Sequence, residues 1–283
     1  MQKALSYISA ELSDLYSESE IHSFSYLILE HICKKDKHIL LRDKDNQLSI
    51  NENFLVREFI EKLKEFQPIQ YLLGKTEFYG LSFIVNKNVL IPRPETEELI
   101  ELILSSINNS SPFILDIGTG SGCIAVSLAK YLPNAHIYGL DISKDALETA
   151  SKNALLNEVL IHFTHENILE LPSDSPIRTV TWDVIVSNPP YIIPSEKKNM
   201  SKNVLEYEPS EALFVPENQP LLFYEKIADI GLNCLHKNGK LFFETSALFG
   251  KDTAEMLKRK GYTSVELYKD ISGNDRMIKA SIQ

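Results

Sequence analysis

The four consecutive residues Asn188-Pro189-Pro190-Tyr191 combine side chains and backbone groups that can hold a flat amino group. The two prolines stiffen the chain and lack N–H donors, so the backbone here presents carbonyl oxygens as acceptors. The Asn188 side chain adds one acceptor and two donors, and the Tyr191 ring offers a flat face. Acceptors aimed at an –NH2 group orient it and stabilise the positive charge that grows on its nitrogen during attack on an electrophile. The run therefore favours transfer of a group to an amide or exocyclic amine; the alternative is a rigid turn at a strand end.

A glycine-rich run, Asp116–Gly122, can bind the donor of the transferred group. Its G-x-G-x-G glycines permit a tight turn and let a ligand approach the backbone closely. Cys123 stands where the dinucleotide fingerprint has its third glycine, and a carboxylate at Asp116 suits a cationic amino-acid ligand better than a pyrophosphate. Asp141 ends the next strand, where an acid can accept hydrogen bonds from both ribose hydroxyls.

These features favour S-adenosylmethionine (SAM), which carries its methyl group on a sulfonium. Methyl transfer from SAM is an in-line displacement, so alignment of the reactants is the main catalytic requirement and no dedicated base is needed. A structural turn for the glycines and a helix N-cap role for Asp141 are the alternatives. The residues that these motifs predict to bind SAM are Asp116, Gly118, Thr119, Gly120, Gly122, Asp141 and Asn188.

Both motifs follow apolar strand patterns within a region of alternating strand and helix that begins at Phe113. Such alternation implies a mainly parallel sheet covered by helices on both faces. The predicted strands are Phe113–Ile117, His136–Asp141, Ile161–His165, Trp182–Ser187, Lys240–Thr245, Ser264–Tyr268 and Met277–Ile282.

The first ~70 residues have helical apolar spacing and no chemical motif, so we expect a small helical domain there. Ser17 and Glu20 have the spacing of a capping box, and Asn51 is the expected cap of a later helix. The β-branched and aromatic stretch 78–91 predicts a hairpin with its turn at Asn86-Lys87-Asn88. The expected division is a helical domain (1–74), a hairpin linker (75–94) and a methyltransferase domain (95–283).

The composition is that of a globular protein. The 283 residues carry a formal net charge of −10, which disfavours a protein that grips long stretches of nucleic acid. No apolar run approaches the roughly 18–20 residues that span a bilayer, and the N-terminus lacks the apolar core of a signal peptide. Cys33, Cys123 and Cys234 are far apart and form no C-x-x-C pair, so we expect neither disulfides nor a metal site. The cytoplasm is the expected compartment.

Further motifs make the chain resemble the PrmC/HemK family of release factor glutamine methyltransferases. The resemblance covers about residues 66–280, and the preceding part is similar only in its size and helical type. Besides the two runs above, the matching motifs are Pro68-x-Gln70-Tyr71-x-x-Gly74, Phe78-x-Gly80, the run Val89–Glu97, Glu208-Pro209 with Ala212-Leu213, and Asp270-x-x-Gly273-x-x-Arg276.

The resemblance implies an α/β fold, the class I SAM-dependent methyltransferase fold, which is Rossmann-like with a mainly parallel seven-stranded sheet. A small N-terminal helical bundle would dock the substrate and a β-hairpin would link it to the catalytic domain. The implied reaction leaves S-adenosylhomocysteine and methylates the side-chain amide nitrogen of the glutamine in the Gly-Gly-Gln motif of class-1 peptide chain release factors. By position, Asn188 and the Pro189 carbonyl would hold the glutamine amide, Tyr191 would pack near it, and Pro190 and Arg93 would line the cleft.

The chain departs from the family pattern at two positions. Asn167 stands where an acid on the adenine side is usual, and its side-chain oxygen can still accept from the adenine amino group, so we expect it to bind the cofactor. The segment after Glu244 lacks the usual His-Gly pair, and Glu244 is expected to be structural at a strand end. Arg93 has a second interpretation as a salt-bridge partner of Glu95.

Two other functions compete with this one. An N6-adenine methyltransferase acting on DNA or RNA would use the same Asn188–Tyr191 run, because adenine also presents an –NH2 group on a flat ring. The acidic charge and the lack of a recognisable nucleic-acid module disfavour it. The intact Asn188–Tyr191 run disfavours the other, a non-catalytic SAM-binding, translation-associated protein. We expect a monomer that takes release factors as protein substrates and binds neither nucleic acid nor membrane.

Overall fold

The computed structural model describes residues 1–42 and 46–282. Its α-helices are α1 (Gln2–Leu12), α2 (Glu18–Cys33), α3 (Lys37–Arg42), α4 (Ile50–Lys64), α5 (Ile69–Leu73), α6 (Pro94–Ser106), α7 (Cys123–Tyr131), α8 (Lys144–Leu156), α9 (Lys202–Tyr207), α10 (Leu222–Cys234) and α11 (Gly250–Lys260). Its β-strands are β1 (Lys75–Phe78), β2 (Leu81–Ile84), β3 (Phe113–Ile117), β4 (His136–Asp141), β5 (His162–His165), β6 (Trp182–Ser187), β7 (Leu235–Glu244), β8 (Thr263–Lys269) and β9 (Asp275–Ser281). Within the described ranges, no helix is both long enough and apolar enough to cross a bilayer.

The chain forms two compact units, one of which is discontinuous in sequence. The helical unit contains Met1–Gly74 and also Ser201–Tyr207, and the larger unit contains Lys75–Met200 and the residues from Glu208 onward. The predicted division placed 201–207 in the methyltransferase domain, whereas this segment clusters with the helical unit.

The helical unit is held together by apolar side chains of α1, α2 and α4, of which Ile8, Ile28 and Ile60 are fully buried. Ser17 and Glu20 form the capping box of α2, as the sequence predicts. The expectation that Asn51 caps α4 is wrong, because the cap is Ser49, two residues earlier, which forms a capping box with Glu52. That box satisfies two helix-end N–H groups reciprocally and leaves Asn51 inside the first turn.

The short helix α9 packs within the helical unit through both of its ends. The Tyr207 hydroxyl donates a hydrogen bond to the backbone carbonyl of Glu65 at 2.8 Å. The Lys202 ammonium lies 4.9 Å from the centre of the Phe66 ring, a cation–π contact. A segment from the second half of the chain therefore completes a unit that is otherwise N-terminal.

The hairpin of the larger unit turns earlier than the sequence suggested. Phe78 pairs with Leu81, so the turn is Tyr79-Gly80, and both residues have positive φ (51° and 71°). The prediction of a hairpin turn at 86–88 is wrong in position; a separate turn lies there, after β2 has ended, closed by a hydrogen bond from Val89 N–H to the Asn86 carbonyl. Gly80 permits the tighter hairpin because glycine adopts positive φ without steric cost.

The larger unit is built on a seven-stranded sheet in the order β5-β4-β3-β6-β7-β9-β8. The first five strands in this order run parallel, and β9 is antiparallel to both β7 and β8. This confirms the expected Rossmann-like fold. The chain moves outward from β3 to β5 and then returns to the other side of β3 with β6, and such a reversal opens a crevice at the carboxyl ends of the strands.

The central strands are buried on both faces because successive side chains point in opposite directions. Val184 and Val186 of β6 join the core that includes α6 and α7, whereas Ile185 joins the core that includes α10 and α11. Two apolar layers therefore fix β3 and β6 from both sides. The loops that follow β3 and β6 therefore begin at residues whose positions are fixed by the core.

Candidate functional site

A cavity of about 540 Å³ lies where the carboxyl ends of β3, β4 and β6 meet. Loops after four strands and the segments 88–90 and 209–214 contribute to its wall. Its volume is in the range of pockets that bury small molecules. The predicted site residues that line it are Gly118, Gly120, Asp141, Asn167, Asn188, Pro189 and Pro190.

The glycine loop presents bare backbone to the cavity. The N–H groups of Gly118 and Thr119 donate to the Leu140 carbonyl at 2.8 and 3.0 Å, which ties the loop to the end of β4. Gly118 and Gly120 have φ of +72° and +54°, and a side chain built at either would meet no other atom closer than 4.0 Å. A ligand can therefore approach these two residues without obstruction.

Three other predicted residues of this motif lie behind the cavity wall and support the loop. Gly122 also has positive φ (+78°), and an added Cβ would lie 3.1 Å from the Cβ of Ala150 on α8, so glycine is required there for helix packing. The Thr119 hydroxyl donates to Asp116 Oδ2 at 2.7 Å. Asp116 is fully buried, and this burial raises the pKa of its carboxyl to about 7 although the Thr119 hydroxyl opposes the shift.

Asp141 lines the cavity and is hydrogen-bonded to the loop that follows β3. Its Oδ2 accepts a hydrogen bond from Gly120 N–H at 2.8 Å, and its Oδ1 accepts one from Ser143 N–H at 2.9 Å. Burial raises the pKa of Asp141, and these backbone donors act in the opposite direction. Each carboxylate oxygen keeps a further lone pair for a hydroxyl in the cavity.

An apolar surface and an amide flank this carboxylate. Ile142 lines the cavity with 55% of its surface exposed, which is unusual for isoleucine and suits a flat apolar ring. The sequence signal for it was its position directly after Asp141. Asn167 Oδ1 accepts a hydrogen bond from Leu169 N–H at 3.0 Å, so the oxygen expected to face adenine also caps a short helical turn.

Asn188 is fixed from behind by groups of two other elements. Its Nδ2 donates to Thr96 Oγ1 at 3.4 Å, and the Thr96 hydroxyl donates to Glu244 Oε2 at 2.6 Å. Thr96 lies in the first turn of α6 and Glu244 ends β7, and both are buried. Burial raises the pKa of Glu244, whereas the Thr96 hydrogen bond and Arg276 lower it.

Tyr191 and Arg93 lie beside the cavity rather than on its described wall. Tyr191 packs against the core that contains Tyr224, and burial raises the pKa of its hydroxyl, which keeps the ring neutral. Arg93 Nη2 lies 2.6 Å from Glu208 Oε1, so the structure pairs Arg93 with Glu208, whereas its second interpretation paired it with Glu95. The other oxygen of Glu208 accepts from Ile91 N–H at 3.2 Å.

This ion pair fixes a segment that sequence reasoning left without a role. Glu208 is followed by Pro209, Ala212 and Phe214, which line the cavity. The motif Glu208-Pro209 with Ala212-Leu213 was the signal for this wall. Its partner Arg93 is 115 residues away in the chain, so only the fold could show the pairing.

Comparisons with known proteins agree with this geometry. Residues 96–210 match the model of the methyltransferase small domain, and residues 3–74 match that of the PrmC N-terminal domain. The chain is 49% identical to a release factor glutamine methyltransferase of Flavobacterium psychrophilum, covering 96% of this chain and 95% of the relative. It is 41% identical to one of Bacteroides thetaiotaomicron, covering 99% and 100%. A solved methyltransferase structure from Pyrococcus furiosus, 17% identical, shares the fold with a TM-score of 0.52 over 72% of this chain and 90% of that chain.

Proposed function

The chain belongs to the family of release factor glutamine methyltransferases, and from this premise we propose that it methylates the side-chain amide nitrogen of the Gly-Gly-Gln glutamine in class-1 peptide chain release factors, with SAM as the methyl donor. The observation that carries the proposal is the single cavity that joins the glycine loop and Asp141 to Asn188–Pro190. A donor pocket and an amide-binding run must share one space if a methyl group is to pass between them directly.

The residues of the cavity fit SAM. Gly118 and Gly120 offer open backbone to its amino-acid end, and the carboxylate of Asp141 offers acceptors to the two ribose hydroxyls. Ile142 supplies an apolar surface for the adenine ring, and Asn167 supplies an amide at its edge. When bound, SAM would supply a methyl group activated by a positively charged sulfur.

The Asn188–Pro190 run would hold the substrate glutamine. We assign the Asn188 Oδ1 and the Pro189 carbonyl oxygen as acceptors for the two hydrogens of its amide, which orients the nitrogen toward the methyl group. These acceptors also stabilise the positive charge that develops on the nitrogen. Pro189 and Pro190 line the cavity with apolar rings that exclude water, and Tyr191 packs beside it. The proton of the amide can leave after transfer, so no base is required.

The helical unit is assigned to substrate docking. Ile50 and Phe54 are one helical turn apart at the start of α4, and 92% and 58% of their surfaces are exposed. An apolar pair of this kind suits contact with a protein partner. The free cysteines Cys33, Cys123 and Cys234 agree with a reducing cytoplasm, where we place the enzyme.

The test is mass spectrometry of a purified release factor after incubation with this protein and SAM. We expect a gain of one methyl group on the Gly-Gly-Gln glutamine, and its loss with Asn188→Ala. A matched control is Asn233→Ala, since Asn233 is an exposed residue whose amide bonds only within α10. If a folded, SAM-binding protein leaves the glutamine unmodified and methylates adenine in nucleic acid instead, the proposal is refuted.

A further inference from the structure

Three polar side chains from three elements form a connected line that ends at the cavity. Glu244 at the end of β7 accepts from the Thr96 hydroxyl on α6, and Thr96 accepts from the amide nitrogen of Asn188 after β6. Glu244 and Thr96 are each only 2% exposed, so no solvent replaces these hydrogen bonds. The line joins a buried carboxylate to the residue assigned to hold the substrate amide.

The order of the hydrogen bonds fixes the direction of the Asn188 amide. A hydroxyl has one hydrogen, and the Thr96 hydrogen is donated to Glu244 at 2.6 Å. Thr96 therefore presents only lone pairs to Asn188, and only a donor can face them. With the amide reversed, Asn188 Oδ1 would face the lone pairs of Thr96 and the nearby carboxylate of Glu244, which is repulsive in a buried site.

The same constraint determines which atom of the Asn188 amide faces the cavity. Since Asn188 Nδ2 is held against Thr96, its Oδ1 is the group available to the cavity that Asn188 lines. An acceptor there orients a substrate –NH2 group, whereas a donor there would repel its hydrogens. Burial raises the pKa of Glu244, and the Thr96 hydrogen bond, Arg276 and the side chain of Asn188 oppose that rise, so both residues of the line act on this carboxyl group.

We propose that Thr96 and Glu244 are positioning residues for methyl transfer, which set the Asn188 amide so that its oxygen faces the substrate. This inference rests on the proposed function of the cavity. Neither residue touches substrate or SAM; both act through Asn188. The alternative is a purely structural role, in which the Thr96–Glu244 hydrogen bond only holds α6 against β7. The two roles predict different rank orders of kcat among variants of Thr96.

The experiment compares Thr96→Ser with Thr96→Val, because serine keeps the hydroxyl and loses a methyl group, while valine keeps the shape and loses the hydroxyl. If positioning is the role, Thr96→Val lowers kcat about 10- to 100-fold and Thr96→Ser stays within about threefold of wild type. The dissociation constant for SAM and the KM for the release factor change little in both. If only packing matters, valine is the better replacement.

Glu244→Gln gives an independent readout. The new amide can donate to Thr96 and release the Thr96 hydrogen toward Asn188, so kcat should fall as it does in Thr96→Val. Thr253→Val is the matched control, since Thr253 is a buried threonine on α11 whose hydroxyl bonds to the Phe249 carbonyl at 2.8 Å. Its kcat should equal that of wild type.

The outcomes separate this inference from the function on which it rests. A kcat of Thr96→Val within threefold of wild type, or a rank order in which valine exceeds serine, overturns the positioning role while the enzyme activity stands. A wild-type protein that leaves the release factor unmethylated overturns the proposed function and the inference with it. Thermal unfolding of each variant shows that the compared proteins are folded.

Discussion

Three glycine-to-alanine variants distinguish the glycine that faces the cavity from the one that serves helix packing. Gly118, Gly122 and Gly261 all have positive φ, with values of +72°, +78° and +104°. An L-residue in this region costs roughly 1–2 kcal/mol, which each variant should lose. Gly261 ends α11 with no neighbour within 4 Å of an added Cβ, so it measures this backbone cost alone.

Gly122→Ala adds a packing cost. Its Cβ would lie 3.1 Å from Ala150 Cβ and 3.3 Å from Ala150 Cα, so α7 and α8 must separate. Overpacking of this kind typically costs about 1–3 kcal/mol, which brings the total to about 2–5 kcal/mol. At about 2–4 °C per kcal/mol, Gly122→Ala should lower Tm by about 4–20 °C, and the other two variants by about 2–8 °C.

The affinity for SAM should follow the opposite order. The Cβ of Gly118→Ala points into open space beside the cavity, where it blocks close approach of the ligand, so Kd should rise at least about tenfold. Gly122→Ala and Gly261→Ala should bind SAM within about threefold of wild type. Thermal unfolding and isothermal titration calorimetry measure the two quantities. Weaker SAM binding by folded Gly122→Ala than by Gly118→Ala would refute the assignment, as would equal Tm values for Gly122→Ala and Gly261→Ala.

Three further predictions concern the ion pair, the buried acid and the helical unit. Arg93→Met leaves the carboxylate of Glu208 buried without its cation, so the free energy of unfolding in urea should fall by about 1–3 kcal/mol. Adding Glu208→Gln to this variant should restore part of the lost stability. An Arg93→Met protein as stable as wild type would contradict the role of the ion pair. Burial raises the pKa of Asp116 to about 7, so the folded state holds this proton more tightly than the unfolded state, and stability should fall as pH rises from about 4 to 7 by up to about 1.4 kcal/mol per pH unit. In urea titrations between about pH 4 and 7, Asp116→Asn should remove this pH-dependent part of the stability. If stability falls with pH as steeply in Asp116→Asn as in wild type, Asp116 is not its source. Replacing Ile50 and Phe54 with serine should raise KM for the release factor several-fold at constant kcat and constant SAM affinity; an unchanged KM would remove the docking role.

The sequence predicted those parts of the site that depend on local spacing. The glycine run and Asp141 follow strands whose apolar patterns are plain, and parallel strands bring their carboxyl ends to one edge. The Asn188–Pro190 run was found for the same reason. Gly122 shows the limit of such motifs, because its role depends on how closely α8 approaches α7.

Side-chain pairings between residues far apart in the chain could not be predicted from the sequence. Arg93 has an acidic neighbour two positions away, but the fold supplies Glu208 at 2.6 Å instead. Thr96 lies in the run Val89–Glu97 that carries the family resemblance, but the run assigns it no role, since its role comes from lying between Glu244 and Asn188, which are 148 and 92 positions away. The two local errors, the cap at Asn51 and the hairpin turn at 86–88, arose because a second turn or cap motif lies a few residues away in each case. Ser49 with Glu52, and Tyr79-Gly80, were also readable in the sequence.

The discontinuity of the helical unit has a consequence for how the protein is made. Residues 1–74 emerge from the ribosome well before α9, which is synthesised more than a hundred residues later and whose Tyr207 and Lys202 pack on Glu65 and Phe66. At roughly 5–20 residues per second, the N-terminal bundle waits about 6–25 s for its last helix. During this interval the strands β3 to β6 are being synthesised, so the bundle is completed only after the central strands of the sheet exist. A fragment that stops at Gly74 lacks that helix permanently, and should unfold at lower urea than the same unit within the full chain.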